Sequence, residues 1–120
     1  MDRRRDQRGL SNSVQYALLL PVTFAVLLAV LQWAFLYWAE ATALAAAQEG
    51  AAVASVLDGS AAAGEGAAAR AADTGGLSAI LVDVERGPGE TRATVSGRAV
   101  SLLWPREVSK TVVVATERLS

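Results

Sequence analysis

The stretch that decides the fold of this 120-residue chain is residues 17–39, ALLLPVTFAVLLAVLQWAFLYWA. It contains no charged residue, and its only strongly polar side chain is Gln32. At about 1.5 Å of rise per residue, a helix of this length spans about 34 Å, which is enough to cross a hydrocarbon core of about 30 Å. With a helix start near Ser13, capped by Ser11 or Asn12, the sequence predicts a transmembrane helix over 13–39.

The charges on either side of this helix predict its orientation. Four arginines precede it, and no Lys or Arg follows until Arg70, whereas the far flank is acidic. Lys and Arg close to a span stay on the cytoplasmic side. We therefore expect residues 1–12 to be a basic cytoplasmic tail, and the rest of the chain to lie outside the cell (inner) membrane that anchors it. Membrane lipid is the first expected partner.

A cleaved secretory signal is the main alternative to a retained anchor. The tripeptide Ala39-Glu40-Ala41 resembles a small-residue cleavage site. The apolar core of a signal peptide, however, is about 7–15 residues long, and this run is longer. Its length favours a permanent single-pass anchor.

An alanine-rich region follows the apolar run, and it predicts more helix outside the membrane. Alanine is the best helix former, so the helix is expected to continue to Leu57 and to end at Asp58-Gly59. Residues 60–76 are rich in Ala and Gly, and they fit a flexible linker or a short helix equally well. Residues 40–76 are therefore predicted as an extramembrane helical region and linker.

The hydrophobic period changes to two from Leu77 onward, which indicates strands. Two alternating segments flank the turn sequence Arg86-Gly87-Pro88-Gly89, so a hairpin with a four-residue connection is expected. Residues 107–110 are predicted as a polar return and the β-branched run 111–116 as a third strand. The fold class is thus α+β: a long N-terminal transmembrane helix that extends into a small β-rich domain, 77–120, with a three-stranded antiparallel sheet.

The composition argues against several classes of function. The chain has no histidine and no cysteine, which removes the commonest general base, the commonest metal ligand and the thiol nucleophile. No phosphate-binding loop joins a strand to a helix, and the formal net charge of −1 disfavours nucleic acid. We therefore expect a protein that is not an enzyme, with no catalytic residue, no cofactor, no metal site, no small-molecule substrate and no nucleic-acid partner.

Two polar or aromatic side chains leave alternatives open. Gln32 could hydrogen-bond to a partner helix within the bilayer, or it could reach toward the outer membrane interface. Trp104 could anchor the domain on a membrane or partner, although a tryptophan in a small domain is more often a core residue.

The N-terminal sequence resembles a known family. It runs Arg8-Gly9, a few small residues, and then VQYALLLP over residues 14–21. This is similar to the start of the TadE-like proteins of tight-adherence (Flp) pilus systems: Arg-Gly, small residues, Val-Glu-Phe/Tyr-Ala-Leu, apolar residues and Pro. The resemblance implies a pilin-like fold, and it implies other pilin-like subunits and an inner-membrane assembly platform as partners.

The resemblance also implies candidate functional residues. In related pilins a prepilin peptidase cuts after the glycine, which makes Gly9 and Leu10 the candidate processing site. Gln15 stands where the family has glutamate, and the spacing from Gly9 is one residue longer than usual. Helix–helix packing is expected to involve Gln15, Tyr16, Pro21 and Gln32.

Together with these departures, the resemblance implies a minor pilin-like structural component of a Flp pilus or a related secretion assembly. The alternative is a generic single-pass membrane protein whose extracytoplasmic domain binds another envelope factor.

Overall fold

The computed structural model describes residues 3–100, 104 and 106–118, with the backbone alone described over residues 3–12. It contains, in chain order, α1 (Arg3–Ser55), α2 (Ala61–Ala72), β1 (Leu77–Arg86), β2 (Glu90–Ala99) and β3 (Arg106–Ala115). The predicted α+β fold, with a long N-terminal apolar helix and a three-stranded antiparallel sheet, is confirmed. The molecule is a rod of 94 × 23 × 16 Å, because α1 extends far beyond the domain.

Helix α1 is longer at its start than the sequence predicted. It begins at Arg3 rather than near Ser13, and it continues through Pro21 to Ser55. The backbone of the basic segment is thus helical, since arginine and glutamine favour helix and one interior glycine, Gly9, costs only about 1 kcal/mol. Pro21 does not end the helix.

The choice between linker and helix for residues 60–76 is settled in favour of a helix. Ser60 is the N-cap of α2, and its Oγ accepts a hydrogen bond from the Ala63 N–H at 3.1 Å. Two interior glycines, Gly64 and Gly66, do not break the helix. Gly64 approaches Gly50 and Ala54 of α1 closely, and this packing offsets its weak helix propensity.

The sheet has the strand order β1-β2-β3, with both pairs antiparallel. The first connection is Gly87–Gly89, three residues rather than the predicted four, and it is closed by a Gly87 N–H to Glu90 C=O bond of 2.8 Å. Strand β3 starts at Arg106, so the predicted polar return over 107–110 is wrong. Val108 is buried opposite Gly97, which extends the inward-facing alternation of β3 toward its start.

The core lies between the outer part of α1 and one face of the sheet. Alanines form the buried side of the helix, and valines and alanines of the sheet pack on them. Small side chains let the helix, the sheet and α2 approach closely. The fully buried helix alanines are Ala39, Ala43, Ala46, Ala47, Ala51 and Ala54.

Candidate functional site

The most prominent surface of the molecule is the part of α1 that no other element covers. Over residues 13–31 every side chain is exposed except Leu28, which is half-buried. We call this stretch the exposed apolar segment, because its residues are almost all hydrophobic. Helix α1 is long and apolar enough from Ser13 onward to cross a membrane, judged by length and composition.

Three of the predicted packing residues lie on this exposed apolar segment. Gln15, Tyr16 and Pro21 are all exposed, so their side chains are open to lipid or to another helix. The predicted processing site, Gly9 and Leu10, falls in the helical backbone of α1, and its side chains lie outside the described residues.

The fourth predicted packing residue, Gln32, is placed differently. It is only 8% exposed and is the first buried residue after the exposed apolar segment. It lines a cavity of about 180 Å³ between α1 and the start of β3, together with Ala29, Trp33, Leu36, Trp104 and Arg106. Gln32 therefore packs within the chain. This placement differs from both alternatives left open by the sequence, a partner helix and the outer membrane interface.

Two tryptophans mark the end of the domain that faces the exposed apolar segment. Trp104 is 57% exposed, so the expectation that it belongs to the core is wrong. Trp38 packs under the turn before β1: a Cβ added to Gly75 would lie 2.6 Å from its Cζ2 atom. Gly75 and Gly76 have positive φ angles of 133° and 81°, which favour glycine. The Gly-Gly pair was a sequence signal for this close approach.

The opposite end of the domain holds the last turn of α1. The Arg86 guanidinium donates hydrogen bonds to carbonyl oxygens at the helix end, and the Glu117 N–H donates to the Ser55 carbonyl at 2.7 Å. The contact between Arg86 and the helix has no local sequence signal, because it depends on how the sheet packs. Helix and domain are thus joined at both ends of the domain.

The remaining polar surface is open to solvent. The carboxylates Asp83, Glu85 and Glu90 are exposed at the β1–β2 hairpin. Within the described residues, no group of three or more His, Cys, Asp or Glu side chains could hold a metal ion. Nothing in the described part of the chain shows catalysis.

Over the described residues, the fold and the exposed surface together define an α+β protein with one helix suited to crossing a membrane. Residues 12–52 match the model of a family described as TadE-like protein. The resemblance predicted from the N-terminal sequence is confirmed over this segment, which covers the apolar helix and ends before α2. The family suggests a part in tight-adherence pilus assembly, and its members are structural rather than enzymatic. No curated protein and no solved structure matches the chain.

Proposed function

We propose that this chain is a minor pilin-like structural component of a tight-adherence (Flp) pilus or a related secretion assembly. A single transmembrane helix anchors it in the inner membrane, with the basic N-terminus in the cytoplasm and the small domain outside. The observation that carries the proposal is the exposed apolar segment, which is uncovered by the chain itself and lies within the part that matches the TadE-like family.

A structural role fits the way the domain is attached. Trp38 lies under the Gly75-Gly76 turn at one end, and Arg86 holds the helix terminus at the other. A domain fixed in this way presents its surface at a constant angle to the helix. That suits an assembly subunit, which needs rigid geometry more than a moving active site. The partners are other pilin-like subunits and the membrane platform that assembles them, and the chain does not act as an enzyme.

The N-terminus supports a minor rather than a repeating subunit. If a prepilin peptidase cuts after Gly9, the new α-amino group at Leu10 has no glutamate partner on this chain, because Gln15 is uncharged. An unpaired ammonium near hydrocarbon is costly. Such a subunit is better suited to starting or capping a filament than to filling it.

A generic single-pass membrane protein remains the alternative function. The family match ends at residue 52, so α2 and the sheet lie outside it. That leaves a domain whose own partner could be some other envelope factor.

In-cell photo-crosslinking separates the two functions. A photoreactive residue at Val22, on the exposed apolar segment, should crosslink to pilin-like subunits or to the assembly platform. One at Arg92, on the solvent face of the sheet, serves as the comparison. Crosslinks from Arg92 to another envelope protein, with none from Val22, would favour the alternative.

Intact-mass and filament measurements test the processing step. A mass that begins at Leu10 shows cleavage after Gly9, and a full-length mass shows a permanent anchor. If this chain is the most abundant subunit of a purified pilus, the minor assignment is wrong.

A further inference from the structure

We propose that the domain sits directly on the outer leaflet, with the hydrocarbon boundary at Leu31 rather than Ala39, and that Trp104 and Arg106 bind phospholipid there. The inference rests on the proposed topology and adds the depth of the anchor and a lipid contact. It shortens the predicted transmembrane segment from 13–39 to 13–31.

The position at which burial begins along α1 indicates how much of the helix crosses the bilayer. From Ser13 to Leu31 every side chain is exposed except the half-buried Leu28, and Gln32 is the first buried one. The segment 13–31 is about 28 Å long at about 1.5 Å per residue, which matches a hydrocarbon core of about 30 Å. Residues 32–39 are not needed to cross the bilayer.

The end of the sheet that faces the exposed apolar segment is charged. Arg98 lies opposite Glu107, and Ala99 lies opposite Arg106; the three charged residues are exposed. Charged side chains are strongly disfavoured in hydrocarbon. This end of the sheet must therefore lie in the headgroup region or above it.

That end of the sheet packs at a defined level along α1. Ala99 and Ala39 belong to one core cluster, and Leu36 packs against the same cluster. The cavity places Arg106 beside Gln32 and Leu36. If the hydrocarbon boundary were at Ala39, Arg106 would lie inside the hydrocarbon. The boundary must therefore lie on the N-terminal side of Gln32.

The residues around this cavity have the chemistry of a phospholipid site. The 180 Å³ cavity is lined partly by Ala29, which belongs to the exposed apolar segment, so it opens onto the surface that faces lipid. Trp104 and Arg106 stand at its domain side, and both are exposed. An indole ring prefers the membrane interface, and a guanidinium binds a phosphate oxygen pair. A phospholipid with its headgroup at Arg106 and its acyl carbons along Ala29 satisfies both the indole ring and the guanidinium.

Spin-label depth measurements test the boundary. The chain has no native cysteine, so single cysteines can replace Leu27 and Tyr37, both exposed, in the full chain in nanodiscs of phosphatidylcholine and phosphatidylglycerol. We expect a label at 27 to be accessible to oxygen and shielded from a water-soluble nickel reagent, and a label at 37 to show the reverse. Equal shielding at the two positions would overturn the boundary.

Brominated phosphatidylcholine tests the lipid contact. Bromolipid quenches part of the tryptophan emission, and the part of this quenching that is lost in Trp104→Phe is due to Trp104. We expect Trp104 to account for a substantial share of the quenching. Arg106→Gln should reduce this share in the same mixed nanodiscs, whereas Arg92→Gln, the same charge change on the solvent face of the sheet, should leave it unchanged. Absence of Trp104 quenching in an inserted chain would overturn the inference.

Neither measurement depends on assembly partners. A chain that inserts but shows no quenching of Trp104 contradicts the lipid contact alone. A chain that fails to insert contradicts the membrane anchor of the proposed function as well.

Discussion

The Arg86 guanidinium and the Ala54 carbonyl are joined by a hydrogen bond of 2.8 Å from Nε. Nη2 of the same side chain donates to the Val56 carbonyl at 3.2 Å. The last residue of β1 thus caps the C-terminus of α1, where the helix leaves carbonyl groups unpaired and the helix dipole favours a cation. The last turn of α1 itself contains no basic residue, so the sheet supplies the charge.

Replacing Arg86 with glutamine should therefore loosen the domain from the helix. We expect Arg86→Gln to lower the free energy of unfolding by about 1 kcal/mol, the usual magnitude for an exposed helix cap with partial charge stabilisation. Denaturant unfolding in detergent micelles measures it. Arg92→Gln on the solvent face of the sheet is the matched control, and an equal loss in both variants would show that the cap contributes nothing.

The two interior glycines of α2 should respond in opposite ways to alanine. A Cβ on Gly64 would lie 2.7 Å from the Ala54 Cβ and 2.7 Å from the Gly50 carbonyl oxygen, whereas a Cβ on Gly66 meets only the Arg70 Nη1 at 3.9 Å. Overpacking costs about 1–3 kcal/mol, which exceeds the gain in helix propensity at Gly64. Gly66→Ala should stabilise the domain by about 0.5–1 kcal/mol.

Thermal unfolding of the two variants measures this difference. Gly64→Ala should melt below the unmodified chain and Gly66→Ala above it. If both variants are stabilised, α1 and α2 do not pack as closely as described.

The turn over Trp38 makes a similar prediction at the end of the domain nearer the exposed apolar segment. Gly75→Ala places a Cβ against the Trp38 ring at a positive φ, and a strained backbone alone costs about 1–3 kcal/mol. Gly89→Ala is the control, because a Cβ there has nothing within 4 Å. Intrinsic fluorescence should report a changed Trp38 environment in Gly75→Ala and not in Gly89→Ala. Identical spectra for the two would contradict this packing.

Much of this architecture follows from local sequence patterns. The apolar run, the alanine-rich continuation and the alternation on both sides of Gly87-Pro88-Gly89 predicted the long helix and the hairpin. These patterns have a fixed period, so each segment carries its own signal. The start of β3 was not predicted because Val108 is a single buried residue among the polar residues Glu107, Ser109 and Lys110, which is too little for a recognisable alternation.

The tertiary contacts of the site could not be predicted in the same way. Gln32 lies far along the chain from Trp104 and Arg106, and their meeting depends on where the domain docks along α1. No residue pattern within the apolar run indicates where the domain begins to pack on the helix. Arg86 illustrates the same limit, because its partner lies 32 residues away.

The strand register predicts a sharp contrast between neighbouring residues. Val84 is 4% exposed and packs with Ala51, Ala54 and Ala93, whereas Asp83 is exposed. Val84→Asp would bury an unpaired charge and should cost several kcal/mol, on the order of 3–5. Limited proteolysis of the full chain should show rapid cleavage of the domain in Val84→Asp and no change in Asp83→Asn. Equal sensitivity would show that the register is wrong.

The central claim is that α1 crosses the membrane with the domain outside, and cysteine labelling in intact cells tests it most directly. Gly89→Cys places a thiol at the open hairpin tip, and Gln7→Cys places one in the basic N-terminal segment; no native cysteine interferes. With the outer envelope made permeable, a maleimide that cannot cross the inner membrane should label position 89. It should label position 7 only after that membrane is lysed. Labelling of position 7 but not 89 before lysis would contradict the account.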